Sequence, residues 1–225
     1  MARVSRTVDC MDPASRAQGI AQAQDALSRG EVVVLPTDTV YGIGADAFSP
    51  QAVAVLLAAK GRSRTMPPPV LIGRAEVMDA LAIDVPDHAR RLAEAFWPGA
   101  MTLILQAQPS LHWDLGETHG TVALRMPADE LALDLLNATG PLAVSSANRT
   151  GMDAATTIHQ AQQMLAESVS VYLDDGERSA SAASTIIDAT VTPPRVVRAG
   201  ALPLAEIQAI EPSVLSDAEA SDSPS

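Results

Sequence analysis

Four short segments of the sequence place charged, hydroxyl and amide side chains where a strand or a helix is predicted to end. They are residues 36–42 (PTDTVYG), 60–64 (KGRSR), 145–148 (SSAN), and the paired stretches 184–188 (STIID) and 195–200 (RVVRAG). Ligands of α/β proteins bind at such ends, because backbone groups are left unpaired there. Arginine can bind a phosphate through two parallel hydrogen bonds, and hydroxyls and amides can bind a phosphate or a ribose. The chemistry indicated is the binding of a nucleoside triphosphate.

Each segment also has a purely structural interpretation when it is taken alone. Lys60 and Arg62 at a helix C-terminus would complement the helix dipole, and Gly61 would serve as an ordinary C-cap. Serine and asparagine favour turns whatever their function. Thr121 and Arg125 lie four residues apart on a predicted strand and so share one face, which is ordinarily a solvated one. The segments gain meaning only together.

The common catalytic and cofactor motifs are absent from the sequence. No GxGxxG opens a helix, and neither a GxxxxGK[ST] loop nor a GxSxG elbow occurs. Cys10 is the only cysteine, which excludes a disulfide within the chain and a cysteine-rich zinc site. Four scattered histidines lack a two-ligand spacing, so no metal site held by side chains is predicted: His88, His112, His119 and His159. What remains is a nucleotide site built without the common phosphate loops.

The composition argues against a protein that coats nucleic acids. The 225 residues include 27 acidic and 15 basic ones, a net charge of −12, and only 3% are aromatic. Such binding rests on many basic contacts, or on aromatic platforms for single strands. Hydrophobic residues make up 47%, enough for a buried core. The N-terminus lacks an apolar signal core, and no stretch reaches the roughly 18 apolar residues of a membrane span, so we expect a cytoplasmic protein without membrane contact.

The elements that must position these residues alternate between strands and helices. Helices are predicted over 13–29, 50–60, 87–95, 128–138 and 157–166. Strands are predicted over 31–36, 69–73, 101–107, 121–126, 141–145, 169–173, 184–189 and 195–198, with a turn-rich segment over 36–47. Several adjacent strands favour mixed pairing, so the expected fold class is α/β, an open mixed sheet with helices packed on it.

The domain is expected to fill residues 1–205. Residues 206–225 are expected to hold the end of a last helix and then an acidic tail that is disordered from about residue 212. The sequence predicts no second domain.

Taken together and in order, the segments resemble the YrdC-like family of threonylcarbamoyl-adenylate synthases, in its short, single-domain type. The matching succession is PTDTVYGIGA, AKGRSR, WPGAMTLIL, TVALRMP, PLAVSSANRTG, STIID and VVRAG, within about residues 15–203. The resemblance implies a twisted sheet around a large, concave, cationic site. It also implies that L-threonine, bicarbonate and ATP react to L-threonylcarbamoyl-adenylate and pyrophosphate, with magnesium held through the phosphates. A downstream tRNA threonylcarbamoyl transferase complex would use the adenylate to modify tRNA next to the anticodon.

The resemblance also implies roles for individual residues. Contacts to L-threonine would come from Thr39, Tyr41, Arg125 and Ser184, with Arg125 on the amino-acid carboxylate. The catalytic pair that faces the phosphates of ATP would be Lys60 and Arg62. The other nucleotide-side positions would be Thr121, Ser146, Asn148 and Arg198, together with backbone contacts at Val144 and Ala154.

The chain departs from the family's pattern after the basic segment. Many members have an asparagine and a histidine where this chain has Met66 and Leu71, so one nucleotide contact and one threonine contact are changed. Two other functions stay open at the level of sequence: an RNA-binding module, and a carbamoyl-adenylate-forming domain like that of hydrogenase-maturation proteins. The acidic charge allows at most weak contact with tRNA and argues against the first. The lone Cys10 argues against the second, because those chains carry cysteine-rich zinc-finger-like segments.

Overall fold

The structure is a computed structural model that describes residues 5–179 and 182–216. Its β-strands are β1 (Arg6–Asp9), β2 (Val33–Leu35), β3 (Gly42–Asp46), β4 (Val70–Leu71), β5 (Met101–Gln106), β6 (Thr121–Arg125), β7 (Leu142–Ser146), β8 (Val171–Asp174), β9 (Thr185–Asp188) and β10 (Arg195–Arg198). Its α-helices are α1 (Pro13–Ser28), α2 (Pro50–Lys60), α3 (Met78–Leu81), α4 (Asp87–Phe96), α5 (Glu130–Thr139), α6 (Ile158–Leu165) and α7 (Leu204–Ile210). None of these helices has the length and apolar character needed to cross a bilayer.

The strands join into one sheet in the order β1-β8-β2-β3-β7-β4-β6-β5-β9-β10. The pairs β1/β8, β2/β8, β4/β6 and β5/β9 are parallel, and the remaining neighbours are antiparallel. The predicted α/β class with mixed pairing is therefore confirmed. The order brings β6, β5 and β9 side by side, although the residues of β9 follow those of β5 by about eighty positions.

The first two helices begin and end where their capping residues predict. Asp12 accepts hydrogen bonds from the first backbone N–H groups of α1, and Pro13 occupies the first helical position. Ser49 caps α2 in the same way. Gly61 ends α2 with φ 61°, a left-handed conformation that glycine adopts without strain. This sharp end fixes where the basic segment 60–64 leaves the helix.

The sheet separates two apolar cores, one on each face. Val33 and Leu35 of β2 pack with α1 and α5, whereas Val32 and Val34 point into the core that contains α2, α4 and α6. Residues 32–35 of the predicted strand 31–36 are thus buried on both faces, as their continuous apolar character predicts.

The layer of α1 and α5 covers only part of its face of the sheet. Within the described residues, the core beneath this layer takes side chains from β2, β4, β7 and β8 and none from β5, β6, β9 or β10. Successive side chains of a strand alternate between faces. Met101 and Leu103 of β5 therefore enter the opposite core, while Thr102 and Ile104 face the uncovered side and line a cleft. The site arises where the helical layer stops.

The segment 36–47 contains β3, so the prediction of turn alone was wrong. A Cβ on Gly42 would lie 2.6 Å from Val144 Cγ1, and one on Gly44 would lie 3.2 Å from Leu35 Cδ2. These glycines therefore allow close packing between strands instead of bending the chain. The strand β1 was also missed, because its four residues, RTVD, carry almost no apolar pattern.

The C-terminal part of the chain is ordered further than the sequence predicts. The helix α7 lies where a last helix is expected, but disorder from residue 212 was wrong for residues 212–216. Val214 is fully buried, and the backbone of Leu215 forms hydrogen bonds with Pro194 and Val196. These contacts extend the β10 edge, which amino-acid composition does not reveal. The acidic tail 217–225 lies outside the described residues.

Candidate functional site

The uncovered half of the sheet forms a cleft with a cavity volume of about 250 Å³. Polar residues from seven separate parts of the sequence line it. They include eight of the ten side chains that the family resemblance singles out: Thr39, Tyr41, Arg62, Thr121, Arg125, Ser146, Ser184 and Arg198. The other two, Lys60 and Asn148, do not line the cavity but lie behind its wall. Segments that are ordinary one by one therefore converge on one concave site.

Arg62 reaches the cleft from the basic segment after α2. Its Nε donates to the carbonyl of Met66 at 2.6 Å, its Nη1 to Ser145 Oγ at 2.8 Å and its Nη2 to the carbonyl of Pro67 at 3.4 Å. Burial lowers the pKa of Arg62, but a guanidinium stays protonated at neutral pH. One N–H on each Nη is left without an acceptor in the described part of the chain. Arg62 is therefore a positioned cation with two N–H groups open to a ligand.

Arg125 at the end of β6 is held by three different groups. Its Nε donates to the carbonyl of Gly99 at 2.9 Å, its Nη1 to Thr39 Oγ1 at 3.3 Å and its Nη2 to the Asp38 carboxylate at 2.7 Å. Asp38 also accepts a hydrogen bond from the backbone N–H of Ala128 at 2.9 Å. Burial lowers the pKa of Arg125, and the charge of Asp38 opposes that shift. Asp38 thereby fixes the guanidinium plane, and two N–H groups stay open for a carboxylate.

A β-bulge turns Arg198 toward the cleft. In the register of β9 and β10, Val196 lies opposite Ile187, but Arg198 lies opposite Ile186, so that Val197 is the extra residue. Residues directly opposite each other share a face of the sheet, and Ile186 lines the cleft. Without the bulge, residue 198 would point into the opposite core. A bulge is a common way to aim a functional side chain.

Arg198 is tied to Ser184 at the start of β9. Its Nε and Nη2 donate to the Ser184 carbonyl at 3.2 and 2.7 Å, and Nη2 also lies 3.1 Å from Ser184 Oγ. The Ser184 hydroxyl is 2.8 Å from Thr102 Oγ1 on β5. Gly200 permits this approach, because a Cβ there would collide with the backbone of Ala183 and Ser184. The segment VVRAG thus needs both its arginine and its glycine.

Lys60 supports the wall of the cleft from behind. Its Nζ donates to the carbonyl of Ser146, to the carbonyl of Asn148 at 2.7 Å and to Asn148 Oδ1 at 3.0 Å. Asn148 Oδ1 also accepts from Ser146 Oγ at 2.5 Å. Burial, and to a lesser degree the charge of Arg62, lower the pKa of Lys60 to about 8. All three ammonium donors are used to shape the SSAN turn.

Tyr41 lines the cleft, but its hydroxyl is directed to the loop after β8. The hydroxyl donates to the carbonyl of Gly176 at 2.6 Å and accepts from the backbone N–H of Asp175 at 3.1 Å. The guanidinium of Arg178 stands over the ring, 5.6 Å from its centroid. Burial raises the pKa of Tyr41, so the phenol stays neutral. The ring, and not the hydroxyl, is available to a ligand.

The cleft is positively charged on a strongly acidic protein. Burial lowers the pKa of Arg198, and the charges of Arg125 and Arg62 lower it further, so the three guanidinium groups act on one another. Only Asp38 forms an ion pair with any of the three within the described residues. The arrangement favours an anionic ligand, which would relieve the repulsion among the cations.

Several polar residues of the site were missed at the level of sequence. Thr37, Asp38 and Ser145 lie within the predicted segments PTDTVYG and SSAN, but no individual role was predicted for them. Thr37 Oγ1 accepts from the backbone N–H groups of Thr39 and Val40 and so forms the turn that presents Thr39. Thr102 had no signal, because it stands inside the apolar strand MTLIL.

The two residues that depart from the family pattern, Met66 and Leu71, have different surroundings. Met66 is 43% exposed and contributes its carbonyl to Arg62. Leu71 is buried in β4 and lines the cleft with apolar surface. Of the two backbone positions, Val144 lines the cleft, whereas Ala154 is not among the lining residues. The roles of single residues toward a ligand stay predictions.

Fold and site together define an α/β protein with an arginine-lined cleft for anionic ligands. A family model named Sua5_yciO_yrdC and described as "Telomere recombination" matches residues 25–200, and the chain belongs to this family. A Mycobacterium leprae protein is 53% identical over 92% of this chain and 94% of its own length. A Pyrococcus abyssi protein named threonylcarbamoyl-AMP synthase is 37% identical over 82% of this chain and 54% of its own length.

A solved structure supports the same assignment. The chain resembles the crystal structure of P. abyssi Sua5 complexed with L-threonine, with a TM-score of 0.91 and 32% identity over 98% of this chain and 65% of the other. The expected fold and family are thereby confirmed.

Proposed function

We propose that this protein is an L-threonylcarbamoyl-adenylate synthase, which combines L-threonine, bicarbonate and ATP and releases pyrophosphate. Relatives named for this activity and a relative solved with L-threonine support the proposal. The observation that carries it is the convergence of Arg62, Arg125 and Arg198 on one cavity. Each of the three reactants is anionic or carries a carboxylate, and each needs such a partner.

The two ends of the cleft suit different substrates. Arg125, beside Thr39, offers two open N–H groups to the carboxylate of threonine, and Tyr41 offers an apolar ring beside it. Arg62, Thr121 and Ser146 stand on the nucleotide side. Arg198 lines the same cavity, and the charges of both Arg125 and Arg62 lower its pKa.

The reaction needs orientation more than a reactive side chain. The amine of threonine attacks the carbon of bicarbonate, and water leaves to give a carbamate. A carbamate oxygen then attacks the α-phosphorus of ATP, and pyrophosphate leaves. Fixed guanidinium groups stabilise the charge that builds on the phosphates, and holding the reactants together lowers the entropic barrier. No covalent intermediate on the protein is required.

Magnesium would be held mainly by the triphosphate. In residues 5–179 and 182–216, no group of three acidic, histidine or cysteine side chains stands together in a way that could hold a metal ion. Mg²⁺ commonly keeps several waters and binds through substrate phosphates. The residues that line the cleft fit an ion held in this way, by ATP and water. The ion would neutralise the phosphates beside Arg62.

The adenylate would serve a tRNA threonylcarbamoyl transferase complex in the cytoplasm. A mixed anhydride of a carbamate and a phosphate is reactive toward water, so rapid transfer to a partner fits its chemistry. The acidic surface outside the cleft disfavours strong contact with tRNA in this first step.

The test is product formation by the purified full chain. Incubation with L-threonine, bicarbonate, ATP and Mg²⁺ should give the adenylate by mass spectrometry together with one pyrophosphate, and omission of bicarbonate should abolish both. Arg62→Ala should reduce the rate severely. An exposed neighbour on the same segment supplies the control: Arg64→Ala removes only a surface ion pair with Asp114. An equal rate in both variants would contradict the role of Arg62.

A further inference from the structure

Thr102 is a buried hydroxyl in the middle of an apolar strand. It stands between Met101 and Leu103, is fully buried and belongs to the face of β5 that lines the cleft. The apolar pattern MTLIL gives no structural reason for a hydroxyl there, since a valine would fill the same volume. A buried hydroxyl is costly unless it is hydrogen-bonded. Its one partner in the described residues is Ser184.

The hydroxyl groups of Thr102 and Ser184 together have one O–H donor more than they have acceptors for. Thr102 Oγ1 and Ser184 Oγ lie 2.8 Å apart and share a single hydrogen bond, whichever of the two donates. Ser184 Oγ also lies 3.1 Å from the Nη2 donor of Arg198. Two hydroxyls carry two protons, so one O–H has no acceptor within the described part of the chain. Both residues line the cleft, so a ligand bound there can supply the missing acceptor.

Arg198 adds further open donors to the same corner. Its Nε and Nη2 are bonded to Ser184, whereas Nη1 has no acceptor among the residues described. No carboxylate of the described residues pairs with it, because Asp38 is engaged by Arg125. The corner therefore offers one hydroxyl donor and two N–H donors, and no carboxylate of the described residues neutralises its arginine. Such a set is complementary to a small oxyanion.

We propose that Thr102, Ser184 and Arg198 form the subsite that receives bicarbonate and then holds the carboxylate of the carbamate made from it. This inference rests on the proposed function and deepens it. Ser184, expected on the threonine side, and Arg198, expected on the nucleotide side, meet at this corner. The carbon of bicarbonate has to be joined to threonine and then to the nucleotide, so it belongs where the two sides meet. The corner and Arg125, the expected partner of the threonine carboxylate, line the same cavity.

In this subsite Arg198 donates to Ser184 Oγ, Ser184 donates to Thr102 Oγ1, and Thr102 donates to the oxyanion. The decisive variant is Thr102→Val, which removes that last donor and keeps the shape. Loss of one hydrogen bond, about 0.5–1.5 kcal/mol, corresponds to a rise of roughly 2- to 13-fold in the KM for bicarbonate. The KM values for ATP and L-threonine should stay within about two-fold. Thr102→Ser restores the hydroxyl and should recover most of the affinity for bicarbonate. Initial rates are measured in buffers depleted of CO₂, with bicarbonate varied and the other two substrates saturating.

Other outcomes would overturn the subsite. A rise in the KM for threonine with an unchanged KM for bicarbonate would assign the hydroxyl pair to the amino acid, and no change in either would leave it without a ligand. A second measurement uses the unmodified protein and needs no variant to fold: formate, a planar oxyanion that cannot react, should inhibit competitively against bicarbonate. Competition against threonine alone would refute the subsite. Absence of any adenylate from the unmodified protein would instead refute the proposed function.

Discussion

Replacement of Lys60 by methionine should weaken ATP binding without removing a contact to ATP. The ammonium donates to the carbonyls of Ser146 and Asn148 and to Asn148 Oδ1. After the replacement, the Ser146 carbonyl keeps the backbone N–H of Asn148 at 2.9 Å and Oδ1 keeps the Ser146 hydroxyl, so only the Asn148 carbonyl is left unpaired. One buried unpaired carbonyl costs about 1–3 kcal/mol.

We therefore expect the SSAN turn to lose about 2 kcal/mol of stability. ATP binding then has to restore the native turn, which raises the KM for ATP by at most roughly 30-fold. The turnover rate at saturating ATP should change little, because Lys60 does not reach the cavity. Release of pyrophosphate is measured against ATP concentration, with Arg64→Met as the exposed control on the same segment. A turnover rate lowered by about two orders of magnitude, with an unchanged KM for ATP, would refute this reasoning, because Lys60 would then touch the reacting phosphates.

The same role of Lys60 predicts how the KM for ATP changes with pH. The pKa of Lys60 is lowered to about 8, so the ammonium has its three donors below that pH and loses one above it. The KM for ATP should rise as the pH increases through about 8, and this step should be missing from the Lys60→Met variant. Folding lowers this pKa from 10.5 to about 8, so between these two pH values the unfolded chain binds a proton that the folded protein does not. The free energy of unfolding should therefore increase as the pH rises from about 8 to 10.5. Affinity and stability thus change in opposite directions.

Three further outcomes follow from particular contacts. Gly42→Ala should lower the melting temperature, because the new Cβ meets a side-chain carbon of Val144 at 2.6 Å, and Val144→Ala in the same chain should restore much of the loss; equal destabilisation in the double variant would contradict the packing argument. Asp38→Asn should raise the KM for L-threonine several-fold with little effect on that for ATP, since the amide no longer fixes the arginine it pairs with; an effect on ATP alone would speak against that role. Hydrogen bonds from Ser213 and then Arg91 hold the pKa of Glu211 below its ordinary value, so acid should destabilise the protein as this carboxylate is protonated, and Glu211→Gln should reduce that sensitivity in acid-denaturation curves.

Much of the fold could be predicted from local patterns. The capping residues Asp12 and Ser49 located the starts of two helices, because a cap needs only its own neighbours. The strand β3 could not be found in this way. Its glycines are needed because the side chains of Val144 and Leu35 on neighbouring strands leave no room for a Cβ. In the sequence alone, glycine is typical of a turn.

The sequence alone predicted which segments would form the site, because the type and order of their residues resemble a known family. Three of the arginines singled out in this way, Arg62, Arg125 and Arg198, line one cleft. Only the tertiary structure decided what each group faces. Lys60 stands behind the wall because the SSAN turn surrounds its ammonium with acceptors, and Arg198 faces the cleft because a bulge shifts its register by one residue. Thr102 meets Ser184 only because β5 pairs with β9 in the sheet. Contacts of this kind join residues far apart in the chain, and they depend on strand order and register, which no local pattern encodes.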